Sequence, residues 1–206
     1  MAQPKLARAA DGKDLALNGN GNGAPACSSC HGMQGEGRLD AAYPRLAGLN
    51  ADYLLRQLND FADKNRDNEH MRPIAKSLSA DERKAVAAYY ASLSSPKTEE
   101  PKQPTPKELA IGAKLANDGN WSRGTPACRQ CHGISGQGVG ASFPRLAGQG
   151  KLYVLNQLKA WKDGKRSNDP LHLMTGVVSK LDDEQIAAVA AYFASLPVSP
   201  KSSAKP

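Results

Sequence analysis

The sequence predicts an all-α protein built from two copies of one helical domain. Apolar residues recur at helical spacing, for example along one stripe of residues 50–64, while the alternation that marks half-buried strands is absent. Residues 1–95 also align with residues 106–206 over most of their length. Helical periodicity and an internal duplication of about 100 residues therefore predict the fold class.

The duplication is carried by three sequence blocks. PACSSCHG (25–32) repeats as PACRQCHG (126–133), PRLAG (44–48) repeats at 144–148, and AAYYASL (87–93) repeats as AAYFASL (190–196). Between the copies lies a segment rich in proline, which predicts an extended linker. We expect a first domain over 1–95, a linker over 96–105 and a second domain over 106–206.

Each half is expected to contain three main helices. The predicted ranges are 5–17, 50–64 and 79–93 in the first half, and 106–117, 150–163 and 182–196 in the second. Ser79 is a predicted N-cap for the third helix of the first half, and Asp182 or Asp183 is expected to take this role in the second.

All four cysteines lie in two C-x-x-C-H motifs, one in each half. A redox-active pair of the thioredoxin type is usually found in a β-α-β pattern, which the sequence does not show. A zinc site needs four ligands, and each motif supplies three, of which the adjacent Cys and His cannot easily reach one tetrahedral ion. The third interpretation, covalent attachment of haem, uses every ligand residue of the motif.

The chemistry of covalent haem matches this spacing. Two thiols separated by two residues reach the two vinyl groups on one porphyrin edge, and the histidine that follows lies beneath the ring and coordinates iron. Aromatic residues make up only 5% of the chain, so a haem in each half would also supply apolar mass to a small core. We therefore predict two haem c groups, attached at Cys27, Cys30, Cys128 and Cys131, with His31 and His132 as iron ligands.

The second axial ligand of each iron is predicted to be a methionine. Met71 and Met174 occupy aligned positions, 40 and 42 residues after the motif histidines of their halves. Methionine suits an electron carrier, whereas an open iron suits catalysis or gas binding. His70 and His172 lie close to the same positions, so ligation by two histidines is the alternative.

The PRLAG element supplies candidate supporting residues. The carbonyls of Pro44 and Pro144 are expected to accept the other imidazole N–H of each histidine. Arg45 and Arg145 are expected to pair with haem propionates. The alternative is that PRLAG is only a tight turn before the second helix.

With these motifs in hand, the chain resembles the dihaem cytochromes c of the cytochrome c4 family over residues 5–196. The shared parts are the two C-x-x-C-H units, the [YF]PRLAG element with its following YxLxQL helix, the two methionines and the closing AAY[YF]ASL helix. The resemblance implies two class I cytochrome c domains, each wrapped around one covalent haem and related by a pseudo-twofold axis. It also implies a bacterial protein, periplasmic or membrane-attached, that passes electrons toward a terminal oxidase.

Charge is unevenly distributed between the halves. Residues 107–206 carry 13 basic and 7 acidic side chains, against 12 and 11 in residues 1–95. A basic half favours an anionic surface, either an acidic patch on a redox protein such as a membrane-bound oxidase or reductase, or a membrane face. The predicted docking residues are Lys159, Lys162, Lys165 and Arg166. No dense basic run interleaved with aromatic residues is present, so no nucleic-acid partner is expected.

The expected function is one-electron transfer in a bacterial respiratory chain, by a monomer without enzymatic activity of its own. The alternative is a dihaem redox enzyme of peroxidase or thiosulfate-oxidising type, or the dedicated electron-transfer subunit of one; a sensor is a third hypothesis. The first residues lack the apolar stretch of a signal peptide. We expect a periplasmic protein whose signal peptide lies outside this sequence.

Overall fold

A computed structural model describes residues 10–94, 96 and 103–198. In chain order, the helices are α1 (Gly12–Asn18), α2 (Ser28–His31), α3 (Ala51–Ala62), α4 (Met71–Ser77), α5 (Ala80–Ser92), α6 (Pro106–Asn117), α7 (Arg129–His132), α8 (Lys151–Lys162), α9 (Leu173–Val178) and α10 (Asp183–Ser195). Short 3-10 turns occur at Leu39–Ala41, Trp121–Arg123 and Pro170–His172. The described residues form isolated bridges but no strand, and the predicted all-α class is confirmed.

Five of the six predicted helices begin and end within two residues of their predicted bounds. The predicted caps are confirmed, because the Ser79 and Asp182 side chains accept the backbone N–H of the third helical residue in capping boxes. The first helix was predicted to start too early: Asp11 is its N-cap and Gly12 its first residue. Residues 5–9 of that prediction lie outside the described residues.

Four short helices were not predicted. They are α2 and α7, which carry the C-x-x-C-H motifs, and α4 and α9, which carry the candidate methionines. Segments of four to seven residues are too short to show a helical stripe, so periodicity cannot find them.

Each half buries its core between its first, second and last long helices. The closest approach is at Gly12 in the first half and Gly112 in the second, where a Cβ atom would collide with the backbone oxygen of Ala85 and Ala188, respectively. Glycine at this place in both copies therefore lets α1 cross α5, and α6 cross α10, at short range. No helix in the described ranges is long and apolar enough to cross a membrane.

The two halves pack against each other. Helix α8 contacts the 3-10 turn of the first half, where Leu39 faces Gly150. The Gln149 side chain holds the backbone of Arg45 by accepting its N–H at 2.8 Å and donating to its carbonyl at 3.0 Å. An antiparallel bridge joins Arg66 to Arg166, two residues at equivalent positions of the repeat. Pairing of equivalent residues is what a pseudo-twofold axis requires.

Candidate haem sites

The same local geometry builds a candidate site in each half. In the first, Cys27 precedes a single helical turn that carries Cys30 and His31, so the two thiols lie three residues apart on one face. Gly32 ends the turn with φ 83°, a conformation that favours glycine. The second half repeats this arrangement from Cys128 onward.

Both motif histidines are held by the carbonyl oxygens of the PRLAG prolines. His31 Nδ1 lies 2.9 Å from Pro44 O, and His132 Nδ1 lies 2.8 Å from Pro144 O. Because a carbonyl only accepts, Nδ1 must carry the proton, which leaves the Nε2 lone pair free to bind a metal. In the second half this Nε2 is buried and has no hydrogen-bond partner, as expected of an atom that ligates iron.

Burial shifts the protonation equilibria of the motif histidines and of two of the cysteines. It lowers the pKa of His31 and of His132, against an opposing effect of the proline carbonyls, and so favours the neutral imidazole that a metal requires. Burial also raises the pKa of Cys27, and that of Cys128 to about 11, which keeps both thiols neutral.

An aromatic ring orients each imidazole from the side. Tyr43 meets His31 edge-on with ring centroids 6.1 Å apart, and Phe143 meets His132 in the same way at 6.0 Å. The residue before PRLAG therefore fixes the ring plane while the proline of PRLAG fixes the tautomer. The sequence showed this position only as the variable first letter of [YF]PRLAG.

The candidate methionine ligands open short helices rather than lying in loops. Met71 is the first residue of α4, and its backbone N–H donates to Asn68 Oδ1 at 2.8 Å. Met174 is the second residue of α9 and packs partly buried against the core of its half. The rival ligand His70 is largely exposed and lies 3.6 Å from Glu69, which favours methionine. Methionine ligation itself stays a prediction.

The two PRLAG arginines differ in their surroundings. Arg45 is buried, and its guanidinium donates to Pro96 O at 2.7 Å, while Gln149 holds its backbone. Arg145 is half-buried, and its Nε lies 3.5 Å from Gln137 O. Pairing of these arginines with propionates stays a prediction. Of the two, only Arg45 contacts Pro96, a residue of the predicted linker.

A helical domain that presents two thiols and a neutral, carbonyl-anchored histidine from one turn defines a c-type haem protein, and here there are two. The Cytochrome c family profile matches residues 9–94 and 109–197. The chain is 48% identical over 181 residues to the thiosulfate dehydrogenase electron acceptor of Thiomonas intermedia (strain K12), covering 88% of this chain and 83% of that protein.

Two solved structures superpose on both halves of this chain. Reduced recombinant cytochrome c4 from Pseudomonas stutzeri superposes with a TM-score of 0.78 at 30% identity, over 90% of this chain and 97% of that one. Thiosulfate dehydrogenase (TsdBA) from Marichromatium purpuratum, in its as-isolated form, superposes with a TM-score of 0.85 at 40% identity. That match covers 91% of this chain but only 40% of the other.

This chain belongs to the cytochrome c family and, within it, to the dihaem cytochromes c4. It is an electron-transfer protein with two covalently bound haem c groups, and the predicted fold, cofactors and general function are confirmed.

Sequence reasoning missed most of the contact between the halves. Arg166 was assigned to a basic docking patch, and this assignment is wrong: the side chain is 6% exposed and lies against the first half. Its neighbours Lys162 and Lys165 are exposed. The repeat offered one signal, since Arg66 and Arg166 align exactly 100 positions apart. Gln149 offered none, because Leu49 stands at its equivalent position.

Proposed function

We propose that this chain is a periplasmic electron carrier that accepts electrons from a thiosulfate-oxidising dehydrogenase and passes them to a membrane-bound oxidase or another redox partner. The observation that carries the proposal is the equivalence of the two sites, each with a buried, neutral, carbonyl-anchored histidine. The thiosulfate donor is favoured by the names of a relative and of a solved structure. In this proposal the dehydrogenase oxidises thiosulfate, and this chain only takes up electrons.

The surroundings of the histidines suit repeated one-electron exchange. Bound haem iron supplies the Fe(III)/Fe(II) couple. The proline carbonyls hold His31 and His132 in one tautomer. The edges of the neighbouring aromatic rings hold each imidazole in one orientation. Burial keeps water from the imidazoles. Little nuclear rearrangement is needed in such a site when the charge on the metal changes, so the transfer is fast.

Docking is proposed to use exposed lysines of the second half. Lys159 and Lys165 are exposed and lie near the end of α8, whereas Lys162 is tied to Asp183 at 2.9 Å. Positive charge there attracts an acidic partner surface and speeds association at low salt. Membrane-surface association would use the same charge.

The test is stopped-flow reduction of the oxidised holoprotein. We expect no reduction by thiosulfate alone, and reduction by two electrons per chain when thiosulfate and a catalytic amount of thiosulfate dehydrogenase are both present. Lys159→Gln/Lys165→Gln should slow this reduction several-fold at low salt and little at high salt. Lys13→Gln/Lys76→Gln, which removes two exposed lysines of the first half, is the matched control.

Two outcomes would contradict the proposal. Reduction by thiosulfate alone with release of tetrathionate would make the chain itself the oxidising enzyme. Absence of reduction in the presence of an active dehydrogenase would assign it a different donor.

A further inference from the structure

Two arginines lie buried where the two halves meet. Arg66 is 7% exposed and Arg166 is 6% exposed. Within residues 10–94, 96 and 103–198, neither guanidinium forms an ion pair with a carboxylate. Buried arginines are normally paired with acids, because an uncompensated charge is costly to remove from water. This pair therefore calls for an explanation beyond packing.

Neutral amides hold the pair in a crossed arrangement. Arg66 donates to Gln57 of its own half at 2.8 Å and to Gln157 of the other half at 2.6 Å. Arg166 donates to Gln157 of its own half at 2.7 Å and to Gln57 of the other at 3.1 Å. Each glutamine oxygen thus joins both arginines, and the four contacts obey the pseudo-twofold symmetry.

Aromatic side chains of both halves make further contacts with the two guanidinium groups. Arg66 stacks over Phe61 with its guanidinium carbon 4.6 Å from the ring centroid, and Arg166 stacks over Trp161 at 3.9 Å. Such stacking stabilises a cation that has lost its water. Arg66 also donates to the hydroxyl of Tyr153 at 3.0 Å. These partners satisfy hydrogen bonds of the guanidinium groups, and none of them is a carboxylate. The two arginines lower the pKa of the Tyr153 hydroxyl against the opposing effect of its burial.

One carboxylate of the described residues, that of Asp60, lies close enough to help raise the pKa of Arg66, and the Asp60 carbonyl accepts the Arg66 backbone N–H at 3.0 Å. Asp60 accepts a hydrogen bond from Asn168 at 2.6 Å, and Asn168 in turn donates to Gln57 at 3.1 Å. One carboxylate offsets at most one of the two positive charges. The centre of the molecule therefore carries net positive charge in a region where solvent screens it weakly.

We propose that Arg66 and Arg166 are positioning residues for electron transfer with two linked effects. Their crossed hydrogen bonds hold the two domains in one relative arrangement, and their positive charge would raise the reduction potential of the haem bound in each domain. The second effect follows because a fixed positive charge favours the reduced iron, which carries one positive charge fewer. This inference depends on haem binding and not on the identity of the electron donor.

Three variants separate charge from geometry. Arg166→Gln removes the charge and the fork of donors. Arg166→Lys keeps the charge but loses the planar fork of donors that reaches Gln57 and Gln157 from two separate nitrogens. Gln157→Glu keeps the shape and both arginines but adds a neutralising carboxylate, so it preserves the test if Arg166→Gln fails to fold. Lys165→Gln, an exposed charge removed one residue away, is the matched control.

The measurements are spectroelectrochemical titration of both haems and hydrogen exchange at the interface, each on protein that carries two haems. At the wild-type midpoint potential, Arg166→Gln and Gln157→Glu should raise the ferric-to-ferrous ratio by about tenfold, because each removes or neutralises one weakly screened positive charge. Arg166→Lys should change this ratio less than twofold but speed amide exchange in α3 and α8. Lys165→Gln should change neither.

The two proposed effects, on the reduction potentials and on the arrangement of the domains, can be contradicted separately. If Arg166→Gln and Gln157→Glu shift the ratio no more than Lys165→Gln does, the buried charge does not set the potentials. If Arg166→Lys leaves exchange in α3 and α8 unchanged, the crossed hydrogen bonds do not hold the halves in place.

Discussion

The two halves hold their candidate methionines in different ways. In the first half, Asn68 caps the segment by accepting the backbone N–H groups of His70 and Met71, and the backbone stays in ordinary regions. In the second half, Leu171 and His172 both adopt left-handed conformations, with φ of 59° and 53°. Such conformations cost about 1–2 kcal/mol for each residue that is not glycine.

The physical cause of this difference is a three-residue insertion between fixed ends. Arg66 and Arg166 occupy equivalent places, but Met71 follows Arg66 by five positions whereas Met174 follows Arg166 by eight. The extra residues must be accommodated in a short connection. There the Asp169 carboxylate accepts hydrogen bonds from the backbone N–H and the hydroxyl of Thr175 in the first turn of α9. Duplicated domains can thus share a binding turn and still differ in how firmly they hold the opposite side of the site.

Removing the cysteines that attach haem should produce the largest measurable difference between the two halves. Cys27→Ala/Cys30→Ala and Cys128→Ala/Cys131→Ala should each reduce the haem count from two to one, because one porphyrin loses both covalent bonds. The second half should keep more helix, since α10 buries six residues and α5 buries four. Pyridine haemochrome assay and circular dichroism check this; equal losses of helix would show that the two cores depend on haem equally.

Removing the methionines should have the next largest effect. Met71→Ala and Met174→Ala should each make one haem high-spin and weaken the long-wavelength Met-to-ferric-iron absorption by about half, since a soft ligand is lost from one of two irons. His70→Ala and His172→Ala serve as controls and should leave that band unchanged. If a histidine variant removes the band, methionine is not the ligand in that half.

Relieving backbone strain should have a smaller effect, limited to the second half. Leu171→Gly should stabilise the Met174 segment by about 1 kcal/mol, because glycine adopts the left-handed conformation freely. Imidazole, which competes for the methionine side of iron, should then bind the second haem about fivefold more weakly. Leu173→Gly, in a right-handed helical position of the same segment, should have the opposite effect and is the matched control.

The smallest effect is expected at the first helix of the second half. The hydrogen bond from Lys151, with help from Thr105, lowers the pKa of Glu108 to about 2. The folded state therefore binds fewer protons at this group than the unfolded state between about pH 4.5 and 2. The stabilisation is complete above that window and is lost as pH falls through it.

Glu108→Gln should accordingly lower the free energy of unfolding by up to about 1 kcal/mol at neutral pH, because the partly exposed carboxylate loses its ion pair with Lys151 and belongs to a capping box. This loss of stability should disappear near pH 2. Asp14→Asn in α1, where no such capping box exists, is the control and should show little change. Thermal unfolding followed across this pH range measures the difference; a constant cost at every pH would exclude the Lys151 interaction as its source.

The local features of this protein could be predicted from its sequence. The C-x-x-C-H turn needs only five consecutive residues to place both thiols and the histidine, and Ser79 caps α5 through a contact three residues away. The long helices follow from periodicity in the same way. The anchoring of His31 by Pro44 was also expected, because the repeat keeps that short spacing almost unchanged in both halves.

Tertiary structure alone decided which residues join the two halves. Arg166 and Lys165 are adjacent basic residues, yet one is buried and the other exposed. The difference comes from contacts with Gln57, which lies 109 positions away in the chain and leaves no mark on the local pattern. The left-handed conformation of Leu171 is likewise set by two fixed ends, because leucine is not a residue type that favours positive φ. Local chemistry therefore determined what this protein binds, and long-range packing determined how its two sites are arranged and how they differ.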